Sequence, residues 1–172
     1  MARKFTVNLP ATAFVPQAGT TGCQLVSHTV SNVPRTALAF DDSTDESAVS
    51  QSFEWPDEYA SGTVKATIYW YGTATSNNVV WNVSVEAETP GASGATLDMV
   101  DGASGFDSVN AVTATVTATE GEVAATSVTL TNKDSVAAAD IVRIKIMRDA
   151  DNGSDNFSGD AFVPLISVYE EA

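Results

Sequence analysis

Alternating apolar and polar positions across residues 62–88 predict two long β-strands joined by a polar turn. In the first strand, Trp70 lies on the apolar face, whereas Tyr69 and Tyr71 lie on the opposite face. Trp81 falls on the apolar face of the second strand. Successive side chains of a strand point to opposite sides, so this pattern predicts a hairpin whose two indoles enter one core.

The same alternation recurs along the rest of the chain. Val83 takes an inward position in the second strand, and Ile144 takes one in a strand near the C-terminus. Upstream, the pattern places Val49, Phe53 and Trp55 on an inward face. A period of 3.6 is sustained nowhere, and about eight or nine strands predict an all-β, two-sheet antiparallel sandwich. Periodicity leaves both jelly-roll and immunoglobulin-like topologies open.

The N-terminal region differs from the rest of the chain. A short strand is predicted over residues 1–9, ending at Pro10, and prolines and glycines then recur among small polar residues. We therefore divide the chain into an extended arm, residues 1–35, and a sandwich domain, residues 36–172. Such an arm is expected to lie on its own sheet, a neighbouring subunit or a larger assembly, with a disordered tail as the alternative. A further short strand is predicted at 95–100.

The charge of the chain excludes several classes of partner. The 172 residues include 8 Lys and Arg against 22 Asp and Glu, a formal net charge of −14. This charge repels phosphate backbones and anionic membranes, so we expect no nucleic-acid or membrane partner. The length suits one domain. Because no apolar run follows Arg3 and Lys4, we expect a soluble protein made without a signal peptide.

Cysteine and histidine chemistry is sparse. Cys23 is the only cysteine, which excludes an intrachain disulfide and a cysteine-based metal site. His28 is the only histidine and follows at a short distance along the chain. A Cys–His nucleophile pair is one interpretation, but two incidental loop residues are favoured because no catalytic context surrounds them.

An acidic stretch near the C-terminus offers oxygen ligands for Ca²⁺. Asp149, Asp151, Asp155 and Asp160 are spaced within one predicted turn. The spacing departs from an EF-hand because Gly153 falls one position early and the flanks are strands. We therefore favour a solvated acidic turn, and we predict neither a metal ion nor a cofactor.

Two groups of surface residues raise the question of sugar chemistry. Tyr69 and Tyr71 are expected to contact another subunit or to pair across strands, with stacking on a sugar ring as the alternative. Asp57 and Glu58 resemble a glycosidase pair only in composition, because adjacent residues on a turn point apart. We therefore predict a protein that is not an enzyme.

Several short signatures then line up in order. They are ALAFDDSTDESAVSQSFEWPDEYASGTVKATIYW, NNVVWNVSVEAE, FDSVNAVTATVTATEG and ADIVRIKIMRDADNGSDNFSGDAFVPLISV. Over residues 36–168 this pattern resembles a family of tailed-phage virion proteins. The resemblance implies a jelly roll that self-associates, usually as a trimer, as a capsid decoration or cement protein or as a fibre or tail domain. Within these signatures, Gly62 is expected to take a positive φ.

The resemblance also implies a function without catalysis. The chain is expected to bind and stabilise the outer capsid surface of a virion, reached from the host cytoplasm during assembly. Its partners would be the major capsid protein or another virion protein, and further copies of itself. We assign assembly to the arm through Arg3, Lys4, Phe5 and Arg35, which include three of the 8 basic residues. The alternative is a receptor- or glycan-binding module of a phage fibre or tail.

Overall fold

Two antiparallel sheets pack face to face in the computed structural model of the protein, which describes residues 2–30, 33–91 and 105–172. The side chains of Thr29 and Val30 are excepted, and the strand predicted at 95–100 lies outside the described residues. The strands, in chain order, are β1 (Arg3–Pro10), β2 (Phe14–Pro16), β3 (Gln24–Val30), β4 (Val33–Phe40), β5 (Glu46–Ser50), β6 (Phe53–Glu54), β7 (Val64–Gly72), β8 (Asn78–Glu88), β9 (Asn110–Thr115), β10 (Ala124–Thr129), β11 (Ile141–Arg148) and β12 (Ala161–Glu171). The predicted all-β sandwich is thereby confirmed.

Helical structure in the described part of the chain is confined to short turns. Two 3₁₀ turns of three residues each, Ala11–Ala13 and Gly19–Thr21, connect the first strands. None of the described helical segments has the length or apolar character needed to cross a membrane.

Each sheet has six strands. Sheet A has the order β10-β7-β12-β4-β3, and β1 pairs with β12 beyond the end of β4. Sheet B has the order β2-β5-β11-β8-β9, and β6 pairs with β11 beyond the end of β5. Most consecutive strands therefore lie in opposite sheets. The exceptions are β3–β4 in sheet A and β5–β6 and β8–β9 in sheet B.

The strands β7 and β8 do not form the predicted hairpin. β7 pairs with β10 and β12 in sheet A, whereas β8 pairs with β9 and β11 in sheet B. The turn between them crosses from one sheet to the other. An inward apolar face is required in both arrangements, so alternation alone cannot distinguish a hairpin from a strand pair that faces across a core.

The aromatic core lies between the two sheets. The indoles of Trp70 and Trp81 meet at a centroid distance of 5.8 Å and an interplanar angle of 70°. Such edge-to-face pairs add about 0.5–1.5 kcal/mol beyond the burial of their area. Val83 and Ile144 are also fully buried in this core.

An unpaired step between β5 and β6 changes one predicted inward position. Ala48 is fully buried, whereas Val49 is only partly buried and faces outward beside Val15 of β2. Two residues without strand pairing separate β5 from β6 and restore the inward direction at Phe53 and Trp55. The prediction for Val49 is wrong because a break of this kind shifts the period of two by one residue.

The N-terminal region is extended and lies in the protein's own sheets. β1 pairs with β12, β2 pairs with β5, and β3 pairs with β4. Leu9, Phe14 and Cys23 contribute buried side chains to the core. The arm was expected to lie on its own sheet, a neighbouring subunit or a larger assembly, and the structure shows it in its own sheets. The domain boundary drawn after residue 35 falls inside β4.

A buried carboxylate joins β12, β1 and the connection that leads into β7. Glu170 of β12 is fully buried and accepts hydrogen bonds from the backbone N–H of Gly62 at 2.6 Å and of Ala60 at 3.2 Å. Lys4 of β1 donates to the same carboxylate at 3.2 Å. Burial alone would raise the pKa of Glu170, but these hydrogen bonds outweigh burial and hold the pKa below its ordinary value.

This carboxylate also explains the glycine at position 62. Ser61, and not Gly62, takes the positive φ of the turn, 60°. A Cβ atom at Gly62 would collide with the Glu170 carboxylate. The glycine is required for close approach of the carboxylate, which corrects the predicted backbone role.

The substitution Glu170→Gln should reduce the free energy of unfolding at about pH 7 by about 1–3 kcal/mol, because an amide offers one acceptor where the carboxylate offers two. The folded-state pKa of Glu170 lies below its unfolded value of about 4.3, so the carboxylate stabilises the native protein above that value. This stability is lost as the pH falls through the folded pKa.

Urea unfolding at about pH 7 and about pH 3 measures the free energy of unfolding of both proteins. The difference between the variant and the native protein should become smaller at the lower pH. Glu171→Gln is the control, because its carboxylate pairs with the partly exposed Lys65 and should cost less than about 1 kcal/mol. Equal costs for the two variants at neutral pH would contradict the prediction.

Candidate functional site

A groove of about 510 Å³ lies on the outer face of sheet A. Its lining comes from β3, β4, β7 and β12 and from the turn between β9 and β10. The N–H of Gly121 in that turn donates to the carbonyl of Gly72 at 3.1 Å, which holds the turn against the end of β7. Strands on one side and an anchored turn on the other therefore shape the groove before any ligand arrives.

Two stacked aromatic rings form one wall of the groove. Tyr71 of β7 and Phe162 of β12 are cross-strand partners, and their rings stack at 5.2 Å with an interplanar angle of 18°. The His28 ring of β3 meets Phe162 edge-on at 5.0 Å. Ala37 and Ala39 of β4 pack against Phe162. Because Phe162 is nearly buried, it holds the more exposed Tyr71 ring in a fixed orientation.

Polar side chains surround this aromatic wall. Arg35 of β4, Thr73 after β7 and Glu120 of the β9–β10 turn are all exposed and line the groove. Burial raises the pKa of Tyr71, and the positive charge of Arg35 opposes part of that rise. The Tyr71 hydroxyl therefore stays protonated at neutral pH and can donate a hydrogen bond.

A second depression lies on the outer face of sheet B and differs in character. It has a volume of about 450 Å³ and is lined by β2, β5 and Arg143. Its lining contains Val15 and Val49 and lacks an aromatic side chain. The guanidinium of Arg143 is already paired with Glu86. The sheet A groove is therefore the better candidate for ligand binding.

The structure separates two tyrosines that the sequence treats alike. Tyr69 and Tyr71 both point to the outer face of sheet A, but Tyr71 lines the groove and Tyr69 does not. Phe162, which the sequence analysis missed, supplies the stacking partner. Its signal was available, because Phe162 lies between the inward-facing Ala161 and Val163 of the final strand.

The four aspartates considered for Ca²⁺ do not form one ligand set. Asp155 accepts two hydrogen bonds from the buried guanidinium of Arg148, at 2.9 and 3.1 Å. It also accepts the N–H of Val80 at 3.0 Å. Burial raises the pKa of Asp160, and the charges of the neighbouring Asp41 and Asp42 add to the rise.

The other two aspartates lie with a carboxylate from a different turn. Oxygen atoms of Asp45, Asp149 and Asp151 come within 4.8 Å of one another, the one such group among the described residues. The charge of Asp45 is the main cause that raises the pKa of Asp151. Asp149 accepts a hydrogen bond from the Asn82 amide at 3.0 Å. Carboxylate oxygens of this kind suit Ca²⁺ chemically, and here they lie at the protein surface.

Cys23 and His28 are not arranged as a nucleophile and base. Cys23 is buried in the core just before β3, whereas His28 is exposed on the outer face of that strand. Burial, with a contribution from the charge of Glu46, raises the pKa of Cys23 to about 12. Asp57 and Glu58 are exposed on the turn after Trp55 and do not line the groove.

Neither a protein-family model nor a curated protein matches this chain. Among solved structures, the family 11 carbohydrate-binding module of the cellulosomal cellulase Lic26A-Cel5E of Clostridium thermocellum is similar, with a TM-score of 0.51 and 11% identity over 97% of this chain and 95% of that chain. A family 11 module from the same organism, in complex with a β-1,3-1,4-mixed-linked tetrasaccharide, has a TM-score of 0.50 and 11% identity. The match covers 95% of this chain and 94% of that chain.

An arabinose-bound α-L-arabinofuranosidase is a third similar structure. It gives a TM-score of 0.52 and 11% identity over 95% of this chain and 24% of that chain. At this level of identity the likeness establishes the fold alone. The protein is a jelly-roll β-sandwich. Alternation predicted the sandwich, and the jelly roll is the topology that the resemblance implied.

The buried thiol generates a prediction about reactivity. With a pKa of about 12, roughly one Cys23 in 10⁴ is a thiolate near pH 8, so the folded protein should resist a thiol-specific disulfide reagent. Absorbance of the released chromophore should rise only when concentrated guanidinium chloride unfolds the chain. The variant Ser27→Cys, with its new thiol exposed on β3, should react at once while folded. Rapid modification of Cys23 in the native protein would contradict its burial.

Proposed function

We propose that the protein binds an oligosaccharide in the groove on the outer face of sheet A. The observation that carries this proposal is the stacked pair of Tyr71 and Phe162, set among exposed polar side chains. A pyranose ring has apolar C–H groups on its faces and hydroxyl groups around its edge. It therefore requires both a flat aromatic surface and nearby hydrogen-bonding groups.

The groove meets these two requirements with separate residues. The ring of Tyr71 provides the flat surface, and Phe162 keeps that ring in place. Arg35 and Glu120 provide a donor and an acceptor for sugar hydroxyl groups at the rim, and Thr73 provides both. The volume of about 510 Å³ lies within the range of roughly 300–1,000 Å³ that is usual for ligand sites.

Pre-organisation supports binding because little freedom is lost when the ligand arrives. Tyr71 lies in a paired strand, and the opposite turn is held by the Gly121–Gly72 hydrogen bond. Rigid aromatic side chains lose little conformational entropy on binding. The fold gives additional support, since the family 11 module that is similar to this chain was solved with a tetrasaccharide.

Replacing Tyr71 by alanine should weaken oligosaccharide binding at least about tenfold, because the stacking surface is lost. A collection of bacterial and plant polysaccharides screened by affinity electrophoresis identifies the ligand, and calorimetry with its oligosaccharide measures the dissociation constant. Tyr69→Ala is the matched control, because Tyr69 lies on the same strand and face but outside the groove. Binding that both variants retain, or the absence of binding by the native protein, would refute the proposal.

The β3–β4 hairpin favours a second candidate function, that of a self-associating virion structural protein. β3 pairs with β4 along Gln24–Val30, but β12 pairs with β4 only through Leu38, Ala39 and Phe40. The outer part of the hairpin therefore extends past its neighbour, and Val33 is exposed there by 55%. Leu25 is exposed by 47% further along the same hairpin, on the edge strand β3 opposite Leu38. A two-stranded ribbon is only marginally stable alone, so contact with a partner would stabilise it.

Charge supports an acidic partner for this hairpin. The first 40 residues contain no Asp or Glu, whereas the whole chain carries 22. A second copy of the chain would present an acidic body to the hairpin, as would an acidic capsid surface. The proposed role is then a capsid decoration protein that binds the major capsid protein on the outer surface of a virion and forms homotrimers.

The structure locates the residues that were assigned to assembly. Arg3, Lys4 and Phe5 of β1 each contact the body of their own subunit, and Arg35 lies on the hairpin. The contacts of the first three are, in order, the ring of Tyr169, the carboxylate of Glu170 and the ring of Trp55. The hairpin is therefore the better candidate for contact with a partner than the first residues of the chain.

The double substitution Leu25→Ser and Val33→Ser should convert a trimer into a monomer, because it removes the exposed apolar side chains of the hairpin. Light scattering after size-exclusion chromatography measures the mass. Deletion of the whole N-terminal region is unsuitable, since it would remove β1, β2 and β3 from the sheets. Val109→Ser, at a valine exposed by 52% elsewhere, is the control. A native protein that stays monomeric at high concentration would refute self-association.

A further inference from the structure

Arg35 differs from the other arginines of the chain. The other three contact a carboxylate or an aromatic ring of the same subunit; they are Arg3, Arg143 and Arg148. Arg35 makes no ion pair with any residue that the structure describes, and it is exposed at the rim of the groove. A guanidinium without an internal partner is thus available beside the Tyr71 ring.

The surroundings of Arg35 favour an anionic ligand in spite of the negative charge of the protein. The hairpin wall carries Arg35 and His28, and the first 40 residues contain no acid. Glu120, on the opposite turn, is the one acidic residue in the lining. At physiological ionic strength the Debye length is about 8 Å, so carboxylates elsewhere on the surface are largely screened. The local groups therefore decide which ligands are accepted.

We propose that the saccharide bound in this groove carries a carboxylate, as a uronic or sialic acid does, and that Arg35 binds this group. This inference rests on the proposed oligosaccharide binding at the same groove. The guanidinium fork matches a carboxylate with two parallel hydrogen bonds, which are stronger than those to neutral hydroxyl groups. Arg35 is then a specificity-determining residue, whereas Tyr71 supplies affinity for saccharides in general.

The opposing charge of Glu120 completes the argument. A carboxylate across the groove repels an acidic sugar that is placed near it, so the carboxylate of the ligand is directed toward the Arg35 wall. Removal of the Glu120 charge should therefore strengthen the binding of acidic saccharides. The same change should not strengthen the binding of neutral saccharides.

Matched pairs of ligands test this inference by calorimetry. One pair is oligogalacturonate and its methyl ester, which share every ring and linkage and differ in charge. The second pair is sialyllactose and its methyl ester, which separates sialic acid from uronic acid as the source of the carboxylate. The native protein should bind the acidic member of one pair at least about tenfold more tightly, and added salt should reduce that preference.

Variants then assign the preference to Arg35. Arg35→Gln should abolish the preference for the acidic member and should weaken binding of the neutral member much less, because the glutamine amide still donates to sugar hydroxyl groups. Arg35→Lys should keep part of the preference. Glu120→Gln should increase the preference. Lys145→Gln, which removes the same positive charge from the outer face of sheet B, is the control for net charge.

The outcomes distinguish this inference from the proposed function. Binding of neutral saccharides through Tyr71 without preference for either acidic ligand would overturn the role of Arg35 and leave saccharide binding intact. A preference that Arg35→Gln retains, or that Lys145→Gln loses equally, would also overturn it. If no saccharide binds at all, both proposals fail.

Discussion

The buried guanidinium of Arg148 is the constraint on which this sandwich depends. Its five N–H groups are all used: Asp155 accepts two hydrogen bonds, and the carbonyls of Phe40, Phe157 and Gly159 accept the other three. Burying a charge costs several kcal/mol unless it is paired and hydrogen-bonded in this way. The side chain therefore fixes the end of β11 in sheet B to the end of β4 in sheet A and to the connection that leads into β12.

The groove follows from this fixed corner. Arg148 holds Gly159 shortly before β12 begins. Phe162 follows as the second residue of β12 that pairs with β7. That register places Phe162 opposite Tyr71, and the irregularity in pairing that follows lies just beyond the two rings. The fixed corner and the strand register therefore hold the two rings in place on the outer face of sheet A. The proposed ligand binding and the proposed self-association both use this face and its projecting hairpin, and neither uses the core.

Much of the architecture was predictable because burial on one face requires a period of two. Trp70, Trp81 and Ile144 are inward in any sandwich that this pattern can form, and all three are fully buried. Val49 was mispredicted because an unpaired step between β5 and β6 shifts the period by one residue. For the candidate site, the sequence indicated Tyr71 as an exposed aromatic residue but did not separate it from Tyr69.

The sequence by itself determined most of the side chains that enter the core and the all-β fold. It also showed that the N-terminal region contains no acidic residue. Only the tertiary structure decided that β7 and β8 lie in opposite sheets and that Tyr71 stacks on Phe162, 91 positions away in the chain. The physical reason is that alternation specifies the face of a strand, whereas the neighbour of that strand depends on how the turns cross between sheets. A site formed by cross-strand partners therefore appears only when the strand order is known.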